Sequence, residues 1–261
     1  MNIYEFPPIK LLVSGAYWLV TALSDLLAPL AGESSAAIAV IVLTLAVRTL
    51  LIPVGLSQVR AGITRKRLAP KIAELQKRHK GNQQVMQEKL MELYREENAS
   101  PFAGCLPVLL QIPVLMAVYG LFVQPTIGGQ ANELLGHTLF GIPLSSSLVG
   151  LIGAGELTWV AGVLYAGLIV AIAVVAALSR HLLMPQPTAS ATDSANQLPG
   201  GVDLSGMTRM LSFMPFLTAV FAAFVPLAAT LYLMTTTAWT LVERITINRA
   251  LGVDHTGAPR E

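Results

Sequence analysis

The sequence predicts an all-α polytopic membrane protein: five transmembrane helices, a cytoplasmic antiparallel helical hairpin and an N-terminal interfacial helix. Three observations lead there. Hydrophobic residues make up 54% of the 261-residue chain against 12% charged, with a mean hydropathy of +0.62, whereas about a quarter of a soluble domain is charged. The runs Ala36–Leu56, Leu106–Val123, Leu157–Ser179 and Met207–Val242 reach the length of about 20 apolar residues that crosses a bilayer as helix. Ten of the 17 Lys and Arg residues fall between Gln58 and Ser100, and Gln124–Glu156 contains none. By the positive-inside rule the first segment is cytoplasmic and the second exported, so the N-terminus is outside and the C-terminus inside.

Residues 1–35 form the interfacial element. Within Ile9–Leu30, Lys10, Ser14, Tyr17, Trp18, Thr21, Ser24 and Asp25 recur at three- and four-residue steps and make one polar stripe, with Trp18 and Tyr17 at headgroup level. A sixth span here would instead place the N-terminus inside. The first transmembrane helix covers 36–57, and residues 58–100 form the hairpin. Leu68, Ile72 and Leu75, then Met86, Leu90 and Leu93, repeat at helical spacing on either side of Lys80-Gly81-Asn82, a turn signal. The second transmembrane helix follows at 101–123, an extracytoplasmic loop at 124–156 and the third helix at 157–184. Residues 185–206, rich in Pro, Gly, Ser, Thr and Ala, read as a flexible cytoplasmic linker. The run 207–243 is too long for one span, since 36 residues from Met207 to Val242 would extend about 54 Å against a hydrocarbon core of about 30 Å. Pro226 divides it into helices four and five, ahead of a cytoplasmic tail at 244–261.

Arg48 lies well inside the first span. A charge at the centre of a transmembrane helix costs at least about 2.5–3.5 kcal/mol, so such a residue normally faces protein or water and marks a functional site. An alternative is that its apolar stem lets the guanidinium snorkel toward the cytoplasmic interface, helped by a kink at Pro53. Thr44 lies one turn earlier on the same face. Gln111 can bond between helices or contact another chain. Tyr232, Thr236 and Thr237 are further polar positions in the last span, where Thr hydroxyls can also bond back to their own helix. The hairpin presents Arg65, Lys66, Arg67, Lys71, Lys77, Arg78 and Lys80, either as a solvated charged face or as a docking surface for anionic lipid, ribosomal RNA or an acidic protein.

Catalysis has little support. The chain has one cysteine, Cys105, and its four histidines, His79, His137, His181 and His255, show no metal-ligand spacing. Neither a nucleophile elbow nor a P-loop is present. No enzyme activity, cofactor or metal is expected.

The stretch NASPFAGCLPVLLQIPVLMAVYGLF, Asn98–Phe122, resembles the YidC family of membrane protein insertases. So do LAPKIAELQKRHKGN at Leu68–Asn82, VLTLAVRTLLIP at Val42–Pro53, MTRMLSFMPF at Met207–Phe216 and FVPLAATLY at Phe224–Tyr232. Ser100 stands where the family commonly has Asn, and so does Thr237. The short tail with Arg249 and Arg260 is unlike the strongly basic, ribosome-binding tail of some members, and the chain is similar to the compact five-span form. The resemblance implies a bacterial inner-membrane insertase and chaperone. In such a protein Arg48 lies in a polar, cytoplasm-open groove and attracts acidic residues in a client's extracytoplasmic tail; Thr44 matches a groove position, and Gln111, Tyr232, Thr236 and Thr237 are the further groove candidates that their polarity within the spans supplies. It also implies nascent membrane proteins as clients, the lipid bilayer as surroundings, and the ribosome, signal recognition particle receptor and Sec translocon as candidate partners. No small-molecule substrate is implied. The competing reading is an anion or small-solute transporter with Arg48 as its substrate site, for which inverted repeats and broken helices would be the signal; the sequence has no obvious internal repetition.

Overall fold

Helices that are apolar on both their buried and their exposed sides dominate the chain. The computed structural model describes residues 4, 6–79, 82–97, 99, 106–183 and 214–252. In chain order the helices are α1 (Pro7–Ala31), α2 (Ser35–Leu50), α3 (Ile52–Arg78), α4 (Gln83–Glu96), α5 (Leu106–Val123), α6 (Leu148–Ala154), α7 (Trp159–Leu183), α8 (Met214–Phe221) and α9 (Leu227–Ala250). The linker at 185–206, the stretch Met207–Phe213, Cys105, Ser100, Lys80 and the tail beyond Gly252 lie outside the described residues, as do the side chains of Arg65, Lys66 and Gln111. Two of the described helical stretches are long and apolar enough to cross a membrane, Pro7–Leu50 and Trp159–Leu182.

The chain divides into two units. The first comprises Met1–Leu51, Val108–Ala177 and Pro215–Leu241; its main core is a cluster fed by α1, α2, α5, α7, α9 and the connection after α5, and a smaller one joins Ile172 of α7 to Ala219 and Ala222. α1 opens on Pro7 and Pro8, which suit a first turn whose N–H groups have no helical partner. At Gly32, with φ of 54°, the chain turns sharply, and the hydroxyls of Ser24 and Ser35, both buried, meet at 2.9 Å. Farther along α1 the Tyr17 hydroxyl accepts from the Glu133 N–H at 3.4 Å. Val13 and Tyr4 pack so tightly on Gly120 that a Cβ there would meet them at 3.2 and 2.9 Å. Ser35 begins α2, Gly120 is near the end of α5 and Glu133 lies in the connection that follows. α1 therefore meets that end of the bundle at three points along its length.

α7 buries Ala161, Tyr165, Leu168, Ile172 and Ala176 at steps of three and four residues, while Val163, Val170, Val174 and Leu178 on another face are exposed. A helix apolar all round belongs in a core or a membrane. α8 stops at Phe221 and α9 starts at Leu227, directly after Pro226.

The connection after α5 contains strands, although only a loop is expected there. Thr126–Ile127 (β1) pairs with Gln130–Ala131 (β2), and Thr138–Leu139 (β3) with Ile142–Pro143 (β4), both antiparallel. The first turn is Gly128-Gly129, both at positive φ, which a two-residue hairpin turn with the strands' own twist requires. The second puts Phe140 at φ 52° beside Gly141, a conformation uncommon for so bulky a side chain. Asn132 holds this region to α5: its amide donates to the carbonyls of Leu121 at 2.6 Å and Gln124 at 2.8 Å, and its side-chain oxygen accepts from the Leu134 N–H at 3.1 Å. Leaving such buried groups without partners costs about 1–3 kcal/mol. Asn132→Ala is expected to lower unfolding free energy in detergent by that amount, measured by thermal or denaturant titration.

The second unit comprises Ile52–Pro107, Leu178–Met214 and Val242–Glu261. α4 returns along α3: Glu97, just past its end, accepts from Arg67 at 2.7 Å and from Lys71 at 2.5 Å, and Leu68 and Leu93 are buried. The Asn82 side chain caps α4 by accepting from the Val85 N–H.

One boundary differs from expectation. The stretch 36–57 is two helices, with Leu51 between them. Pro53 lacks an N–H, and its ring clashes with the carbonyl four residues earlier when a helix continues through it, but it is tolerated in a first turn. Ending α2 at Leu50 puts Pro53 in the first turn of α3.

Candidate functional site

Arg48 occupies the last turn of α2, where the negative end of the helix dipole favours a cation. It is partly buried, and it is not without a partner. Thr44, one turn before it, is buried and donates to the Val40 carbonyl of its own helix at 2.6 Å.

α9 carries the other polar row. Tyr232 is buried in the main core and has a partner. One turn on, Thr236 is buried, and its hydroxyl has no hydrogen-bond partner among the described residues. Thr237 points elsewhere around the helix and donates back to the Leu233 carbonyl at 2.8 Å. Trp239, overlooked in the sequence, follows Thr236 by three residues. Its indole Nε1 is likewise buried without a partner. Tyr232, Thr236 and Trp239 are spaced by four and three residues and so share one face; that spacing is the signal that could have found Trp239. Arg48, Thr44 and this α9 row all belong to the first unit. A buried polar group without a partner is unusual and calls for an explanation.

Of the basic residues expected on the α3–α4 pair, Arg67 and Lys71 converge on Glu97, while Arg78 pairs with Glu74 on its own helix. Lys77 is exposed. The hydrogen bond from Lys71 is the main influence holding the Glu97 carboxyl below the usual carboxylate range. The charges of Lys71 and Arg67 add to it, and partial desolvation opposes. Because the folded value is depressed, the contact contributes fully above the ordinary carboxylate range and is lost as pH falls through the folded value. Amide exchange in α4 is therefore expected to quicken on acidification below that range in the wild type, and to be insensitive to that step in Glu97→Gln.

In the second unit, a Cβ on Gly55 would overlap the Glu243 carboxylate, so the absence of a side chain lets α9 lie close to the first turn of α3. Among the described residues no group of three or more His, Cys, Asp or Glu could hold a metal ion.

Long helices apolar on both their buried and their exposed faces are what a helical membrane protein presents. Residues 26–254 match the family described as the 60Kd inner membrane protein, and the chain belongs to that family, the YidC family. It is 26% identical to the membrane protein insertase YidC of Oceanobacillus iheyensis over 239 residues, 90% of this chain and 81% of that protein. With the YidC of Clostridium perfringens it shares 42% identity over 89 residues, 34% of this chain and 37% of the relative. With that of Actinobacillus pleuropneumoniae it shares 27% over 214 residues, 82% of this chain but 33% of the relative. The chain thus spans most of one relative and about a third of the other two.

Proposed function

We propose that the protein is a membrane protein insertase and chaperone, working through a polar groove that Arg48 shares with the α9 row. Beyond membership of the family, the observation that carries the reading is the pair of buried donors Thr236 and Trp239, which share one face of α9 and lack partners among the described residues. A hydrated groove, or a client's backbone within it, would supply what they lack.

In this reading the five spans are residues 36–57, 101–123 and 157–184 and the two within 207–243, to which α2, α5, α7, α8 and α9 belong; α1 lies in the outer interface, and the N-terminus is outside and the C-terminus inside. The contacts of α1 with one end of the bundle support its placement. The outer end is closed. Ser146 and Leu144 carbonyls accept from the Leu227 and Ala228 N–H groups at 2.8 and 3.1 Å, capping the first turn of α9. Leu134, Ile142 and Leu144 are buried with it.

A client's acidic tail exchanges with the partner Arg48 already has and is drawn partway across from the cytoplasm. The client's apolar helix then moves into lipid along the exposed face of α7, each buried CH₂ contributing about 0.8 kcal/mol. Gln111 joins the groove from α5. The basic residues of the α3–α4 pair, Arg65, Lys66, Arg67, Lys71, Lys77, Arg78 and Lys80, dock a partner that delivers clients: the ribosome, the signal recognition particle receptor or the Sec translocon.

Reconstitution tests the whole. Purified protein in liposomes should render the short tail of a single-span client resistant to added protease, without nucleotide. Solute flux in the absence of any client, with no protection of the tail, would reject the insertase in favour of a transporter.

A further inference from the structure

We propose that α6 and the turn between α8 and α9 form a cap submerged among the acyl chains of the outer leaflet, so that lipid covers it. The inference rests on the five-span reading above.

Three independent features converge. The first is chemistry at the surface. Val149 and Ile152 on α6, Phe221 and Phe224 at the turn, and Trp159 at the start of α7 are all exposed, Trp159 by 81%. The Val149 N–H donates to the Ala223 carbonyl at 3.1 Å, so α6 and the turn present one apolar surface. Patches of this kind on a soluble face mark interaction sites, and this one is separated from the exposed apolar stripe of α7 only by residues 155–158, where the exposed Glu156 carboxylate sits at the edge of the cap.

The second is the backbone. The N–H groups of Ala222, Ala223, Phe224 and Val225 donate to the carbonyls of Thr218, Val220 and, for the last two, Phe221. The Ala222 carbonyl accepts the Thr230 hydroxyl at 2.9 Å, and the Ala223 carbonyl accepts from α6. These bonds account for the four N–H groups that follow α8 and for the Ala222 and Ala223 carbonyls. In hydrocarbon each unsatisfied backbone group costs several kcal/mol, so irregular backbone survives there only when bonded internally.

The third is length. Only the 16 residues Leu227–Val242 separate the turn from the first charge of α9, Glu243. As helix they reach about 24 Å, short of a hydrocarbon core of about 30 Å. With Glu243 and Arg244 at the inner interface, the turn ends below the outer surface of the hydrocarbon. This shortfall selects lipid over a second protein as the occupant, because it holds whatever the patch is made of.

Single nitroxides read the immersion. In a Cys105→Ser background, Ile152→Cys, Phe224→Cys, Gln130→Cys and Val170→Cys are labelled in liposomes and their collision rates with oxygen and with a water-soluble nickel chelate compared. The expected result is that oxygen dominates at 152, 224 and 170 and the chelate at 130, which lies in an exposed β-turn. Chelate access at 152 and 224 alone would put the cap in water and overturn the proposal while leaving the spans intact. Shielding of both sites from both reagents would mean that protein covers them, and would overturn it too. Chelate access at 170, midway along α7, would overturn the proposal together with the five-span reading. If a labelled variant fails to fold, native Trp159 serves instead: as the sole tryptophan, in Trp18→Phe/Trp239→Phe, it should be quenched by lipids brominated on their acyl chains, and lack of quenching would count against the cap.

Discussion

Arg48→Ala is expected to slow the insertion of clients with acidic tails about ten- to hundredfold while leaving clients with neutral tails nearly unaffected. A unit charge pair at 4 Å is worth about 4 kcal/mol at an effective dielectric of 20, and about 1 kcal/mol in bulk water. The difference of about 3 kcal/mol corresponds to about a hundredfold. Because Arg48 already has a partner, a client gains only the difference between the two pairings, which sets the lower end. Arg48→Lys keeps the charge but loses the planar fork that grips a carboxylate with two parallel bonds, so it should fall between the wild type and alanine. Initial rates in proteoliposomes, with paired clients differing only in tail charge, measure the effect. An equal loss for both tails would reject attraction as the role of Arg48.

The predominantly helical character was legible because its signal is local and strong: apolar runs with few charges, punctuated by prolines. Pro226 announced the interruption ahead of α9, and the helical spacing of Leu68 and Leu93 picked out two residues that are buried. What escaped depended on weaker or tertiary signals. The interruption at Leu51 was hidden because Pro53 suits a kink as well as a first turn. The paired glycines 128 and 129 are a turn signal that was passed over inside a stretch read only as a loop. The second turn uses Phe140, which no composition rule would select. Trp239 looked like one more apolar residue of a span. Only burial without a partner distinguishes its indole nitrogen, and burial depends on which faces meet. The same limit applies to Thr44, whose hydroxyl bonds to its own helix, a use the sequence allowed without selecting.

Tyr165→Ala is expected to cost the most stability of any single change at the closed end, about 3–5 kcal/mol, as for other large buried aromatics truncated to alanine. Tyr165 is fully buried on α7 and donates to the Ser146 carbonyl at 2.8 Å. That carbonyl also accepts from the Leu227 N–H, so one side chain braces the segment that caps α9. Tyr165→Phe separates the two contributions. It keeps the packing and leaves the carbonyl its bond from Leu227, and should cost about 1 kcal/mol, the usual net value of one hydrogen bond. Denaturant titration in detergent gives both values. If the brace also keeps the outer end shut, Tyr165→Ala should raise ion leak through proteoliposomes while Tyr165→Phe stays tight. Alanine that destabilises without leak would make Tyr165 a packing residue only, because a seal loosened by 3–5 kcal/mol must open more often if this contact is what holds it.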